Sequence, residues 1–437
     1  MPSDSWNDRR LLDCLRAPMT EVVQGQLDSL AESDWNGLVA SSREHGVAPL
    51  LYHRLTSGPA TPRIPENVLR MLREDYLING ARNALLYQDL QKLLQALRQD
   101  QIPVIALKGA CLAELVYGDP ALRTMGDIDI MVGKADLPRT ANRLRAMGYS
   151  CKNYDLELRA MGYPGKNYDL KKWCLLFNHL PRFFKPPNPR VEIHWTILMP
   201  TRPLRPDLEG LWNRARPATI AGTGALVLSP ADLLLHLCAH AGGQDMGPFC
   251  LGLRPLCDIS AVLQHYEGEL DWKEVAARAR EWQAARCVFL ALLLAKTMLA
   301  ARVPEEFLQS LRPGDFDDRW LATAQSIVLA GEAGEVMRPV KVFADKCATA
   351  SLGDRVKRLL RTAFPAREYM AGYMDEHYSL PLTPMRSYTC YGTRGLDLMG
   401  KSVRLAWQWS TRPRLRRYAR QLRQSASLQK WLDNNNP

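Results

Sequence analysis

The sequence lacks any apolar run long enough to cross a bilayer. Its best stretch, VFLALLLAKTMLA at 288–300, is short and broken by Lys296, which reads as a buried helix. No apolar segment stands behind a basic start in MPSDSWNDRR, so no secretory leader is expected. The 10 cysteines include no Cys-x-x-Cys pair and follow no regular spacing. That pattern excludes a zinc ribbon and a disulfide framework, and it predicts reduced thiols in a cytoplasmic protein. No motif that would read a nucleobase is present.

What is present is a chain of 437 residues with an ordinary apolar fraction of 46%, long enough for two or three domains. The net charge of +11 is unevenly spread: residues 351–437 hold 16 Lys/Arg against 6 Asp/Glu. The stretch RLAWQWSTRPRLRRYARQLR at 404–423 interleaves aromatics with cations. Such a tail suits nucleic acid, anionic lipid or an acidic partner; an amphipathic helix packed on its own domain reads equally from the same residues.

Three regions follow from the patterning. Residues 1–100 read as helical, with Ser33 as a helix cap and one or two long amphipathic helices over 66–100. Residues 101–200 change character. IPVIALKG is a short apolar run ending in glycine, GDIDIMV alternates, and RVEIHWTI at 190–197 alternates again; these predict strands separated by helices. From about 225 to 437 the pattern is helical once more, opened by Ser229 at an N-cap and Pro230 at N1. The expected class is α/β (α+β), a small mixed sheet flanked by an N-terminal and a larger C-terminal helical region. Within the middle region, LRAMGYSCKNYDLE at 144–157 is followed at once by LRAMGYPGKNYDLK at 158–171. This is a local tandem duplication, too short for a repeat architecture and cheap to absorb as surface loop.

The chemistry concentrates in the middle region. Asp127 and Asp129 stand two apart on a strand and so share a face, and a neighbouring strand can bring Glu192 beside them. Three carboxylates with open positions suit Mg²⁺ or Mn²⁺, completed by substrate phosphates. The first strand ends in Lys108 and Gly109 and runs into a helix, a junction whose backbone N–H groups favour phosphate. Lys108 and Arg123 supply positive charge. His194 shares the face of Glu192 and is a candidate on the acceptor side.

These residues resemble the DNA polymerase β-like nucleotidyltransferase superfamily. More closely, LKGACLAELVYGDPALRTMGDIDIMV followed by VEIHW is similar to an uncharacterised bacterial nucleotidyltransferase family, in which LKG precedes R-x-x-x-D-I-D. HGVAPLLYHRL, DLLLHLCAHAGG, LRPLCDIS and AFPAREYM extend the likeness over most of the chain. The resemblance implies transfer of a nucleoside monophosphate, AMP from ATP, to a hydroxyl of a small molecule, peptide or protein. It implies Asp127, Asp129 and Glu192 as metal ligands and catalytic acids, with Lys108, Gly109 and Arg123 at the phosphates. One departure is Ala110, where the wider superfamily places a serine or glycine.

Other readings stay open at this level. Arg123 can pair with a nearby carboxylate, and Lys108 can be a strand-end surface residue. His236 and His240 stand four apart on one helix, a zinc spacing, but no third ligand stands at a recognisable offset, and satisfied core histidines fit better. Asp258, on an apolar helix, needs a partner such as one of those histidines. The rival functions are a silent nucleotide-binding or antitoxin-like partner protein, and an RNA-modifying nucleotidyltransferase tethered by the basic tail.

Overall fold

The alternation at 127–132 sets the centre of the molecule, because its two faces must meet different surroundings. The computed structural model describes residues 3–16, 20–57, 62–151, 174–175, 177–186, 188–243, 247–330 and 425–434, and these belong to one compact unit. Its sheet has six strands: β1 (Ile105–Ala106), β2 (Asp127–Met131), β3 (Phe183–Lys185), β4 (Asn188–His194), β5 (Arg216–Ile220) and β6 (Thr223–Val227). They lie in the order β3-β4-β2-β1-β6-β5. β2 runs parallel to β4 and β1 parallel to β6, while β1–β2, β3–β4 and β5–β6 are antiparallel. The fold is therefore mixed α/β with helical regions on either side, as the patterning implies.

Three strands, β3, β5 and β6, are additional to those expected. β5 and β6 form a hairpin whose turn residues Ala221 and Gly222 have φ of 50° and 68°, the left-handed backbone that two-residue hairpin turns require. The strand expected over IPVIALKG, 102–109, is reduced to Ile105–Ala106, and Lys108 and Gly109 open a short helix in place of ending the strand. The parallel pair β2–β4 needs a crossover, and the helix Leu137–Ala146 lies within it.

One face of the sheet rests on the single helix Glu66–Gln99, 34 residues long, which packs on β2, β4 and β6. Leu86, Leu90, Leu93 and Leu97 recur on it at helical spacing and are buried. The opposite, acid-bearing face meets the helical layer. Met131 of β2 and its partner Ile105 of β1 belong to the same apolar cluster as the helices Pro230–Gly242, Arg254–His265 and Ala285–Leu299. The first of these begins as expected: Ser229 Oγ accepts the Asp232 N–H at 3.3 Å, and Pro230 follows.

The expected cap at Ser33 is displaced. The helix starts at Glu32, and the Asp34 carboxylate accepts the Ala31 N–H at 3.2 Å. The run 288–300 lies in the helix Ala285–Leu299, buried along most of its length. Among the described residues, no helix is long and apolar enough to cross a membrane. All eight described cysteines are free thiols. Residues 425–432 are helical, and Trp431 stacks on Trp320 with ring centroids 5.5 Å apart. The basic stretch 404–423 lies outside the described residues, as do most of the duplication and AFPAREYM.

Candidate active site

Strand register builds the site. β2 and β4 pair in parallel with Asp127 opposite Arg190, Asp129 opposite Glu192 and Met131 opposite His194. Opposed residues of a parallel pair project to the same side, so the acids of both strands share one face. Ile128, Ile130, Val191 and Ile193 point the other way and are completely buried. That apolar face pins the register, because a slip of one residue would drive the carboxylates into the core.

Around this pair the charges interlock. Lys108 Nζ donates to Asp129 Oδ1 at 2.9 Å, and His194 Nε2 lies 2.7 Å from the same oxygen. His194 Nε2 also stands 3.5 Å from Glu192 Oε2, and Asn178 Nδ2 faces His194 Nδ1 at 3.3 Å. Arg182 Nε donates to Glu192 Oε1 at 2.5 Å, with His179 Nε2 4.0 Å from Glu192 Oε2. Asp129, Glu192 and His194 are buried; Lys108 and Asp127 are partly exposed.

Protonation follows these contacts. Burial alone would raise the Asp129 carboxyl, but the Lys108 ammonium and the hydrogen bond from His194 outweigh it and hold it below the usual range. Glu192 is likewise held well below its usual value, with burial opposing and His179, His194, Lys108 and Arg182 favouring the anion. Asp127 goes the other way. Burial, then the charges of Asp129 and Glu192, push its carboxyl up to about 6. His194 is raised: burial and Lys108 oppose its protonation, and the bonds to Asp129 and Glu192 prevail.

Lys108 reaches Asp129 through a bent backbone. Its φ of 45° lies in the left-handed region, at a cost of roughly 1–2 kcal/mol for a residue with a Cβ. The preceding Leu107 N–H donates to the Asp129 carbonyl at 3.0 Å, which ties the turn to β2. Gly109 is needed for a different reason. A Cβ there would stand 2.6 Å from Arg123 Nη1 and 2.9 Å from Met125 Cγ.

Arg123, expected at the phosphates, has its guanidinium against Asp258. Nε donates to Oδ1 and Nη2 to Oδ2, each at 2.8 Å, and Tyr117 Oη donates to Oδ1 at 3.0 Å. The partner expected for Asp258 among the histidines is thus Arg123 with Tyr117. His236 is fully buried, and among the described residues neither of its ring nitrogens has a hydrogen-bond partner. Its ring centroid is 5.9 Å from that of His240. Burial, with Lys108 and His194 adding, pushes His236 down to about 3.

The sequence reading missed Arg182, His179 and Asn178. A signal existed for the first. FFKPPNPRVEIH reads as a hairpin across a proline-rich turn, and the pairing Phe183↔Val191 continues to place Arg182 opposite Glu192.

Among the described residues, one group could hold a metal ion: Asp129, Glu192 and His194, whose ligand atoms all lie within 4.8 Å of one another. Two carboxylates and an imidazole fit a divalent cation, Mn²⁺ among them, by donor chemistry. Asp127 is not in that group; His194, expected on the acceptor side, is. His236 and His240 do not join it.

No curated protein and no solved structure matches the chain. A family model described as "Uncharacterised nucleotidyltransferase" matches residues 31–300. That span contains every residue of the interlocked site and more than half of the sequence, and the chain belongs to this nucleotidyltransferase family.

Proposed function

We propose that the chain transfers a nucleoside monophosphate, AMP from ATP, to a hydroxyl of a small molecule, peptide or protein, and releases pyrophosphate. The reacting groups are those on the acid-bearing face of β2 and β4. The single observation that carries the proposal is the in-register pair Asp129–Glu192, buried beside His194 and Lys108. The arrangement of strand, LKG turn and acidic strand pair supports placing the family in the DNA polymerase β-like superfamily.

Asp127, Asp129 and Glu192 form the acidic wall of the site, and Asp129, Glu192 and His194 would hold a divalent cation, Mg²⁺ or Mn²⁺. When bound, such a cation neutralises phosphate charge and acidifies an acceptor hydroxyl. The acceptor oxygen forms a bond to the α-phosphorus as the bond from that phosphorus to the pyrophosphate oxygen breaks. Asp127, the acid of the wall that stands outside the metal group and whose carboxyl is pushed up to about 6, takes the acceptor proton. Lys108, at the start of the short helix that follows β1, is the cation set to reach the phosphates. Arg123 serves one step back, by fixing Asp258 and the wall against which Gly109 packs.

Thermal melting tests this with ATP, GTP, CTP and UTP, each with and without Mg²⁺ or Mn²⁺, on wild type and Asp129→Asn. A nucleotide at 100 times its Kd adds about 2.7 kcal/mol to a folded state that alone binds it. The expected result is a metal-dependent rise in Tm for ATP that the variant loses. A well-folded wild type that answers to none of the four nucleotides rejects the proposal.

A further inference from the structure

Each of the two buried carboxylates in the candidate metal group already has a cation of its own: Lys108 on Asp129 and Arg182 on Glu192. The two cations differ in freedom. The side chain of Arg182 is 27% exposed, against 6% for Glu192 and 16% for Lys108. It immediately precedes β3, the outermost strand on its side of the sheet. A divalent ion cannot share Glu192 with a guanidinium 2.5 Å from the same carboxylate without like-charge repulsion, which burial of that carboxylate strengthens.

We infer that Arg182 is a two-position residue: it occupies Glu192 in the unloaded chain and turns to the triphosphate when a divalent cation takes that carboxylate. The inference rests on the proposed function above. The chemistry favours phosphate as the second partner, because a planar guanidinium that leaves a carboxylate finds in phosphate the other anion it grips with two parallel hydrogen bonds. Arg182 thereby covers the acidic face while it is empty and adds a positive charge to the nucleotide side when it is full. None of the motifs that identify the site contains this residue.

The test separates the two positions. Free Mn²⁺ is followed by electron paramagnetic resonance in titrations of the full chain without nucleotide, for wild type, Arg182→Gln and Arg182→Lys. Removing the charge next to Glu192 is expected to tighten Mn²⁺ binding about tenfold in Arg182→Gln, with Arg182→Lys within about twofold of wild type. In Mn²⁺-saturated protein the same glutamine variant is expected to bind ATP about tenfold more weakly. These opposite movements are what a merely structural arginine would not produce. Equal or weaker Mn²⁺ binding by Arg182→Gln overturns the inference, and so does unchanged ATP affinity. If the glutamine variant does not fold, Arg182→Lys decides: ATP affinity lowered about fivefold supports the inference, and unchanged affinity overturns it. Absence of Mn²⁺ binding by wild type and both variants is a separate result, which removes the proposed function and the inference with it.

Discussion

Two sets of acids invite comparison among the described residues, one in the helical layer and one on the sheet, and they are solved differently. In the helical layer Asp232 and Asp258 each stand alone among hydrogen-bond donors. Asp232, fully buried, accepts from Arg214 at 3.0 and 3.2 Å, from Arg278 at 3.1 Å and from Ser229 Oγ at 2.7 Å. Asp258 accepts from Nε and Nη2 of Arg123 and from Tyr117 Oη. On the sheet, Asp127, Asp129 and Glu192 crowd together, and parallel pairing brings Glu192 directly beside Asp129. Burial, with the repulsion of Asp129 and Glu192 added, pushes Asp127 up, while Lys108 and His194 hold Asp129 down and His179, His194, Lys108 and Arg182 hold Glu192 down. A protein that needed only stability would gain nothing from crowding three acids, since paired or apolar replacements cost less. Isolated, saturated acids hold the helices together; crowded acids, kept at a cost in stability, mark a candidate functional site.

The comparison breaks most visibly at Asp232. Asp232→Ala leaves the buried Arg278 and the half-buried Arg214 without their shared carboxylate, and the expected loss is about 3–5 kcal/mol, read as a lower urea midpoint. A matching change at Asp129→Asn is expected to shift that midpoint far less. It removes one of three mutually repelling charges, and Lys108 still feels Glu192 and Asp127. Equal losses in the two variants would erase the distinction between the two sets.

Gly109→Ala sharpens the boundary between them. The new methyl would press on Arg123 Nη1 and Met125. Arg123 cannot yield freely, since Nε and Nη2 of its guanidinium are both bonded to Asp258. Overpacking of this kind costs about 1–3 kcal/mol. The expected result is a lower Tm together with weaker nucleotide binding, because the same turn carries Lys108. A Tm equal to that of wild type would show that the turn has slack the geometry denies it.

How much of this was legible in the sequence depends on how local the cause is. The alternation of Ile128 and Ile130 against Asp127 and Asp129 is a period of two within six residues, and it placed those acids on one face without knowledge of the partner strand. Ser229 and Pro230 signalled a helix start by local capping chemistry. The hairpin Arg216–Val227 was missed because its strands carry Pro217 and small residues in place of a clear alternation, with half-buried positions on both faces. Arg123 and Asp258 are 135 residues apart, and nothing in either neighbourhood names the other. Arg182 escaped because its importance comes from the β3–β4 register, which a three-residue strand barely announces.

His236 lies one helical turn beyond Asp232, on the helix that joins the two regions, and it belongs to neither pattern. It is fully buried, both its ring nitrogens are unpartnered among the described residues, and burial pushes it from an ordinary 6.5 down to about 3. Because the folded value lies below the unfolded one, folding favours the neutral ring. The stability this residue permits is complete above about pH 6.5 and is lost as the pH falls toward 3, at up to about 1.4 kcal/mol per pH unit. His236→Leu removes that proton uptake and replaces an unsatisfied ring with an apolar side chain. At pH 7 the expected change is small, a gain below about 1 kcal/mol. In urea unfolding at pH 7, 6 and 5 the variant is expected to lose stability less steeply than wild type, by the slope of one proton. An identical acid dependence in the two proteins would mean that His236 finds a hydrogen-bond partner as the pH falls and belongs with the saturated groups of the helical layer.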